Sequence, residues 1–270
     1  MALETLRFDK LGGCLLPGRK GQDLVLRTMS RHPATRSSAI VRTLTIAPRQ
    51  LRKNAYLLTL LRRRYGLAGI AKLVREDIWF DLRHRTDTIL PVHNSELYDE
   101  DEIEERERYV PTPFWVVRQC IELVAARMPV TGVNFVDMGC GKGKVLFEAA
   151  EFDFHRIKGI EFSRPLIEIV RRNVSKLGLG DRIELFCVDA MHWQPDAEDR
   201  VYFFFNPFSG AVLSKVIDNI CDATPVGESI MVIYVNPVWS EAFERKMQLI
   251  EKVVVDPGGI HVNLYRYDRG

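Results

Sequence analysis

Long apolar runs are missing from this sequence. Across 270 residues none reaches the roughly 18 residues that a membrane-spanning helix needs. The N-terminus, MALETLRFDKLGG, has no signal-peptide core. Cysteine is sparse and odd in number: Cys14, Cys120, Cys140, Cys187 and Cys221 form no CxxC pair, which excludes a disulfide framework and a cysteine zinc site. The six histidines show no ligand spacing, and His192 and His261 read as partly buried polar residues. There is no internal repeat, no low-complexity tract, and no triad or metal cluster. These absences predict a soluble, cytoplasmic protein of a reducing compartment with no metal centre. The rest of the composition, with 46% hydrophobic, 27% charged and 10% aromatic residues, is that of an ordinary globular chain. At this length it can bury about 70–75% of its unfolded surface without covalent staples.

A net charge of +2 conceals two unlike parts. Residues 1–90 carry 18 Lys/Arg and 7 Asp/Glu, a net of +11, and the remaining 20 basic and 29 acidic residues give −9. Such asymmetry suggests separate jobs. The acidic, weakly apolar stretch PVHNSELYDEDEIEERERYVPTP places a boundary near residues 91–110, hence an extension over 1–108 and a second domain over 109–270. Within the extension, Pro48 can start a helix that Gly66 ends, with Leu57, Leu58, Leu61 and Tyr65 on one face. A second helix is predicted from Leu67 to Phe80. The basic segment fits a solvated lid paired with the acidic half, a nucleic-acid footprint, a site for an acidic protein or small molecule, or an anionic membrane surface. An anionic partner thus stays one reading among several.

From Phe135 onward short β-rich runs alternate with helical stretches, the signature of a parallel sheet with crossover helices. Thr112 and Pro113 offer an N-cap and N1 proline for the helix PFWVVRQCIELVAARM. Strand NFVDMG, a glycine turn and helix GKVLFEAAEF follow, then strand RIKGIE and helix PLIEIVRRNVSKLG with Gly178 as C-cap. Strands RIELFCVD, VYFFFN and SIMVIYVN come next, with helices over AVLSKVIDNI and EAFERKMQLI. EKVVV, the turn DPGG and HVNLYRY close the chain as an antiparallel hairpin. The order reads as five β-α units and a terminal hairpin.

The chemical signal is FVDMGCGKG, residues 135–143, where a strand opens into a helix. Glycines there let a ligand approach the backbone, and the helix offers its first N–H groups. A phosphate loop needs G-x-x-x-x-G-K-[ST], which no register supplies. A dinucleotide fingerprint needs a third glycine where Lys144 stands, which disfavours an NAD-dependent oxidoreductase. D-x-G-x-G-x-G does fit.

On these residues the chain resembles the class I S-adenosylmethionine (SAM)-dependent methyltransferases over roughly residues 109–267. The resemblance implies a Rossmann-like α/β fold with a seven-stranded sheet and terminal β-hairpin, preceded here by a mainly helical extension. It implies SAM as cofactor, with Gly139, Cys140, Gly141 and Gly143 packed on its methionine part and Asp137 orienting the turn and the ligand's amino group. By the same resemblance Glu161, followed by Phe162, accepts from the ribose hydroxyls, and Asp189-Ala190 reads the adenine. Asn206-Pro207-Phe208 faces the methyl group and acceptor.

Two features resemble particular subgroups. Tyr109–Phe114 is similar to the segment of amino-methylating enzymes whose threonine, here Thr112, reaches the SAM carboxylate. Asn206-Pro207-Phe208 is similar to the N/D-P-P-F/Y signature of enzymes that methylate planar amines, although this chain has one proline where that signature has two. The Asn-x-Phe form also resembles the non-SET lysine methyltransferases. Uncharacterised bacterial methyltransferases share a stretch like FDLRHRTDT, residues 80–88. A nitrogen acceptor is expected, on nucleic acid, protein or a small molecule. Asn236-Pro237 is a similarly placed dipeptide with no role assigned. A regulatory module that binds SAM or a nucleotide without catalysis is the alternative from another class.

Overall fold

The computed structural model describes residues 61–63, 65–89 and 111–270. The helix expected from Pro48 through Leu57 and Leu58, and the acidic bridge at 91–110, lie outside these residues. Seven strands, β1 (Asn134–Met138), β2 (Ile157–Glu161), β3 (Ile183–Cys187), β4 (Asp199–Phe205), β5 (Ser229–Val235), β6 (Gln248–Val255) and β7 (Ile260–Asp268), form one sheet in the order β3-β2-β1-β4-β5-β7-β6. The first five are parallel, and β7 runs antiparallel between β5 and β6. The direction of strand order reverses between β1 and β4, and in such sheets the crevice beyond that point is where ligands bind.

Both faces of β1 are covered and all five of its residues are buried; Phe135, Val136 and Met138 are apolar, while Asn134 and Asp137 are the two polar ones. Phe135 packs on one face with α2 (Phe114–Ala125), α3 (Lys144–Ala149) and α4 (Arg164–Leu177). Val136 and Met138 pack on the other with α5 (Gly210–Ala223) and α6 (Ser240–Glu244). In α4, Leu166, Ile167, Val170 and Val174 recur at helical spacing on the buried side, and Gly178 ends the helix in the left-handed conformation. Each fully buried aliphatic or aromatic side chain contributes about 1.5–3 kcal/mol.

Four local expectations are corrected. The helix expected over residues 241–250 stops at Glu244, and Gln248–Ile250 join β6, because pairing with β7 begins at Gln248 opposite Arg266. The sheet edge outweighs helical periodicity there. No helix forms between β3 and β4; Trp193 fills that connection, 6% exposed and edge-on to Phe186. There are therefore four β-α units rather than five. Thr112 is not the N-cap of α2: the cap is Pro113, and the first free N–H, that of Phe114, donates to Asp77 Oδ1 (3.4 Å). The helix expected from Leu67 to Phe80 is real but longer. Gly66 takes the left-handed conformation, yet the helical run continues over residues 67–73, through a π-turn at Val74–Ile78, into α1 (Trp79–His84). No helix of the described residues is long and apolar enough to cross a membrane.

Candidate functional site

At the carboxyl end of β1 the chain turns back over β2: the N–H groups of Gly139 and Cys140 both donate to the Ile160 carbonyl at 2.9 Å. Gly139, Gly141 and Gly143 hold φ of 87°, 53° and 89°, a region that costs other residues about 1–2 kcal/mol. A Cβ on Gly139 would lie 2.8 Å from Pro207 Cβ. The glycine turn and the Asn206-Pro207 turn are therefore in direct contact. Gly159, which the sequence did not single out, performs a similar service from β2, since a Cβ there would fall 2.9 Å from Cys140 Sγ and 2.7 Å from Leu146. Its only signal was a glycine inside a strand.

Two acids line the turn. Glu161 accepts from the Gly141 N–H (3.0 Å) through one oxygen and from the Ser163 N–H (2.9 Å) through the other, which fixes its carboxylate across the turn. Asp137 is 2% exposed, and among the described residues its Oδ2 has no hydrogen-bond partner. Burial pushes its carboxyl well above the usual carboxylate range, and the nearby Glu161 carboxylate adds to this. A buried, partly unsatisfied acid in a site with a second acid suits a cationic ligand group. An ammonium group of the kind that methionine carries fits that donor set. Cys140 is buried, and burial together with Asp137 and Glu161 raises its thiol well above the ordinary range, so it is not an activated nucleophile.

The end of β3 is joined to this site by the Val188 N–H, which donates to the Glu161 carbonyl (3.1 Å). Asp189 orders its own turn: its Oδ1 accepts from the Met191 N–H (2.9 Å), while its carbonyl accepts from His192 and Trp193. Ala190 is buried in the core, and Phe162, 37% exposed, stands at the rim. Thr112 is buried at the start of α2, whose Phe114 N–H is held by Asp77, the ion-pair partner of Lys144.

At the end of β4, Asn206 adopts φ 42°, and Asn236 at the end of the adjacent β5 adopts φ 52°. Asparagine tolerates this left-handed conformation better than most residues. The two Asn-Pro elbows are linked. The Trp239 N–H donates to the Tyr234 hydroxyl (3.1 Å), which in turn donates to Asn206 Oδ1 (2.9 Å). Phe208 packs edge-on to Phe204, 6.4 Å between ring centres. Tyr234 was missed in the sequence because it sits in the apolar run SIMVIYV, where a tyrosine reads as core. Tyr234→Phe should lower stability by about 1–2 kcal/mol, the cost of leaving its two partners unsatisfied, seen as a lower urea midpoint with an unchanged m value.

The family model described as "Methyltransferase domain" matches residues 135–225. Methyltransferase GfsG of Streptomyces halstedii is 36% identical over 73 residues, 26% of this chain and 26% of that protein. A probable cobalt-precorrin-6B C(15)-methyltransferase (decarboxylating) of Pyrobaculum calidifontis is 34% identical over 87 residues, 32% of this chain and 44% of that protein. The chain thus matches less than half the length of these curated relatives. Among solved structures, an RNA methyltransferase from Salinibacter ruber in complex with S-adenosyl-L-homocysteine is similar at 22% identity and a TM-score of 0.44, covering 58% of this chain and 92% of that one.

Proposed function

We propose, on the premise that residues 135–225 form a class I SAM-dependent methyltransferase domain, that this chain transfers a methyl group from SAM to a nitrogen acceptor. The observation that carries the reading is the contact of Pro207 with Gly139, which sets the Asn206-Pro207-Phe208 turn against the donor turn. SAM supplies an already activated methyl group when bound, so the chain has mainly to align and to exclude water. Proximity of this kind can supply up to about 7–11 kcal/mol of the barrier reduction.

Asp137 would hold the donor's ammonium, the glycine turn its methionine part, Glu161 with Phe162 its ribose and Asp189-Ala190 its adenine. Thr112 would meet the carboxylate. Asn206 is the residue proposed to receive the acceptor. One lone pair of its Oδ1 is taken by Tyr234, and the second can accept from a planar amine while Phe208 stacks on that plane. In this reading residues 1–108 are an extension that selects the acceptor, residues 109–270 are the catalytic domain, and the protein works in the cytoplasm.

The test is label transfer from methyl-tritiated SAM into an extract of the source cell. Wild type, Asp137→Ala and Asn206→Ala would be compared, with products split into nucleic acid, protein, lipid and small molecules. Counts that follow wild type into one fraction and vanish with Asp137→Ala support the reading and name the acceptor class. Asn206→Ala should keep SAM affinity and lose about tenfold or more in transfer, the scale of one hydrogen bond to a charged group. SAM binding with no counts in any fraction would favour a non-catalytic binding module.

A further inference from the structure

The stretch FDLRHRTDT has a physical role that its sequence did not disclose. Asp81 folds it into a knot: one carboxylate oxygen accepts from the hydroxyls of Thr86 (2.7 Å) and Thr88 (2.9 Å), the other from the N–H groups of Thr88 (2.9 Å) and Ile89 (3.2 Å). Arg85 permits the reversal with a left-handed φ of 55°. The knot presents Asp87, itself partly exposed, to α4 and the glycine turn. Asn173 of α4, 1% exposed, grips the Asp87 backbone from both sides, accepting from its N–H (3.1 Å) and donating to its carbonyl (3.0 Å). The same Asn173 amide also donates to the Lys142 carbonyl (3.2 Å), and the Lys142 ammonium donates to Asp87 Oδ1 (2.7 Å).

Lys142 lies between Gly141 and Gly143, so these contacts fall directly on the glycine turn. Its side chain is 1% exposed, and a buried ammonium is tolerable only when paired. One turn of helix upstream of the knot, Asp77, fully buried, pairs with Lys144 at the other end of the glycine turn. Lys144 also lies 5.2 Å from the centre of the Phe114 ring. Both lysines that alternate with the glycines thus have an ion-pair partner in one segment, Asp77 to Ile89, which lies more than forty residues earlier in the chain.

We propose that this segment is a brace that sets the conformation of the donor turn, with Asp87 as a positioning residue acting through Lys142 and Asn173. The inference rests on the methyltransferase reading of that turn. Its occupancy and that of the donor site are then coupled: anything that loosens the Asp87–Lys142 contact weakens SAM binding, and by thermodynamic reciprocity bound SAM must tighten the knot.

The experiment is calorimetric titration of the full chain with SAM at 15 °C, alongside the melting temperature of each variant. Asp87→Asn should weaken SAM binding by between about 5- and 150-fold, the usual range of coupling between sites. Lys142→Met removes the same contact from its other side and should also weaken SAM binding, with the double variant losing less than the sum of the two single losses. In the wild type, SAM should slow hydrogen exchange at the amides of Asp87, Thr88 and Ile89, a readout that requires no variant to fold. Unchanged SAM affinity in Asp87→Asn, or unchanged exchange at residues 87–89, would show that the segment is only a structural anchor and overturn the brace. A wild-type chain that does not bind SAM at all would instead overturn the methyltransferase reading, and the brace with it.

Discussion

Asp137→Asn is expected to abolish useful SAM affinity while making the ligand-free protein more stable at neutral pH. Both effects come from one fact: the Asp137 carboxyl is buried beside Glu161 and, among the described residues, lacks a partner at Oδ2. A ligand ammonium would supply that partner, and breaking a buried charge pair costs about 3–5 kcal/mol, so affinity should fall by about 100-fold or more. Without ligand the same carboxylate is a liability. Its folded pKa lies above the unfolded value of 3.8. Below pH 3.8 both states hold the proton and the substitution changes nothing through this route. Above it the unfolded chain releases the proton and the native state retains it, so the native state loses about 1.4 kcal/mol per pH unit until its own raised pKa is passed.

The melting temperature of Asp137→Asn should therefore exceed that of wild type at pH 7, and the two should converge as pH falls towards 3.8. For the wild type, SAM affinity should rise with pH through the raised Asp137 pKa as the carboxylate becomes available. Titration calorimetry and thermal melts across pH 4–8 check all three. A variant that binds SAM normally would mean that the cofactor site is elsewhere.

Gly143→Ala should be the most destabilising change in the turn, by about 2–5 kcal/mol. Two costs add. Alanine at φ 89° pays the left-handed penalty of about 1–2 kcal/mol, and the new Cβ would lie 2.4 Å from Val170 Cγ2 and 2.8 Å from the Phe147 ring. Overpacking of a filled core typically costs about 1–3 kcal/mol. Adding Val170→Ala should relieve the Val170 contact and leave the Phe147 contact and the backbone part, so the double variant recovers partly, not fully. Urea denaturation of the three proteins decides this, and full recovery would mean that backbone conformation at residue 143 is unimportant. Gly141, by contrast, offers its N–H to Glu161, and Gly141→Val should act first on SAM binding.

Much of residues 109–270 was legible from local pattern. Strands of five to seven apolar residues separated by amphipathic helices leave few topologies, and the D-x-G-x-G-x-G turn, Glu161, Asp189 and Asn206 each end a strand, so a parallel sheet has to gather them at one edge. What local pattern could not carry was competition between distant partners. Residues 245–250 are helical by periodicity, and only the presence of β7 pulls Gln248–Ile250 into the sheet. Thr112 is a good N-cap by chemistry, yet Asp77 takes the Phe114 N–H that the cap would have served.

The lysines of the glycine turn make the division plain. Read along the chain, Lys144 disfavours a dinucleotide fingerprint, Lys142 is a spacer between two glycines, and FDLRHRTDT is an unexplained polar stretch before the fold. Chain order settles residue types, periodicity and which residues stand at strand ends, because each depends on neighbours a few positions apart. The pairing of Asp77 with Lys144, of Asp87 with Lys142 and of Tyr234 with Asn206 depends on burial, where an ammonium or carbonyl cut off from water must find whatever partner the folded chain brings near. That requirement acts only once the core has formed, and it is tertiary structure that turned two lysines and a polar stretch into the support of the site.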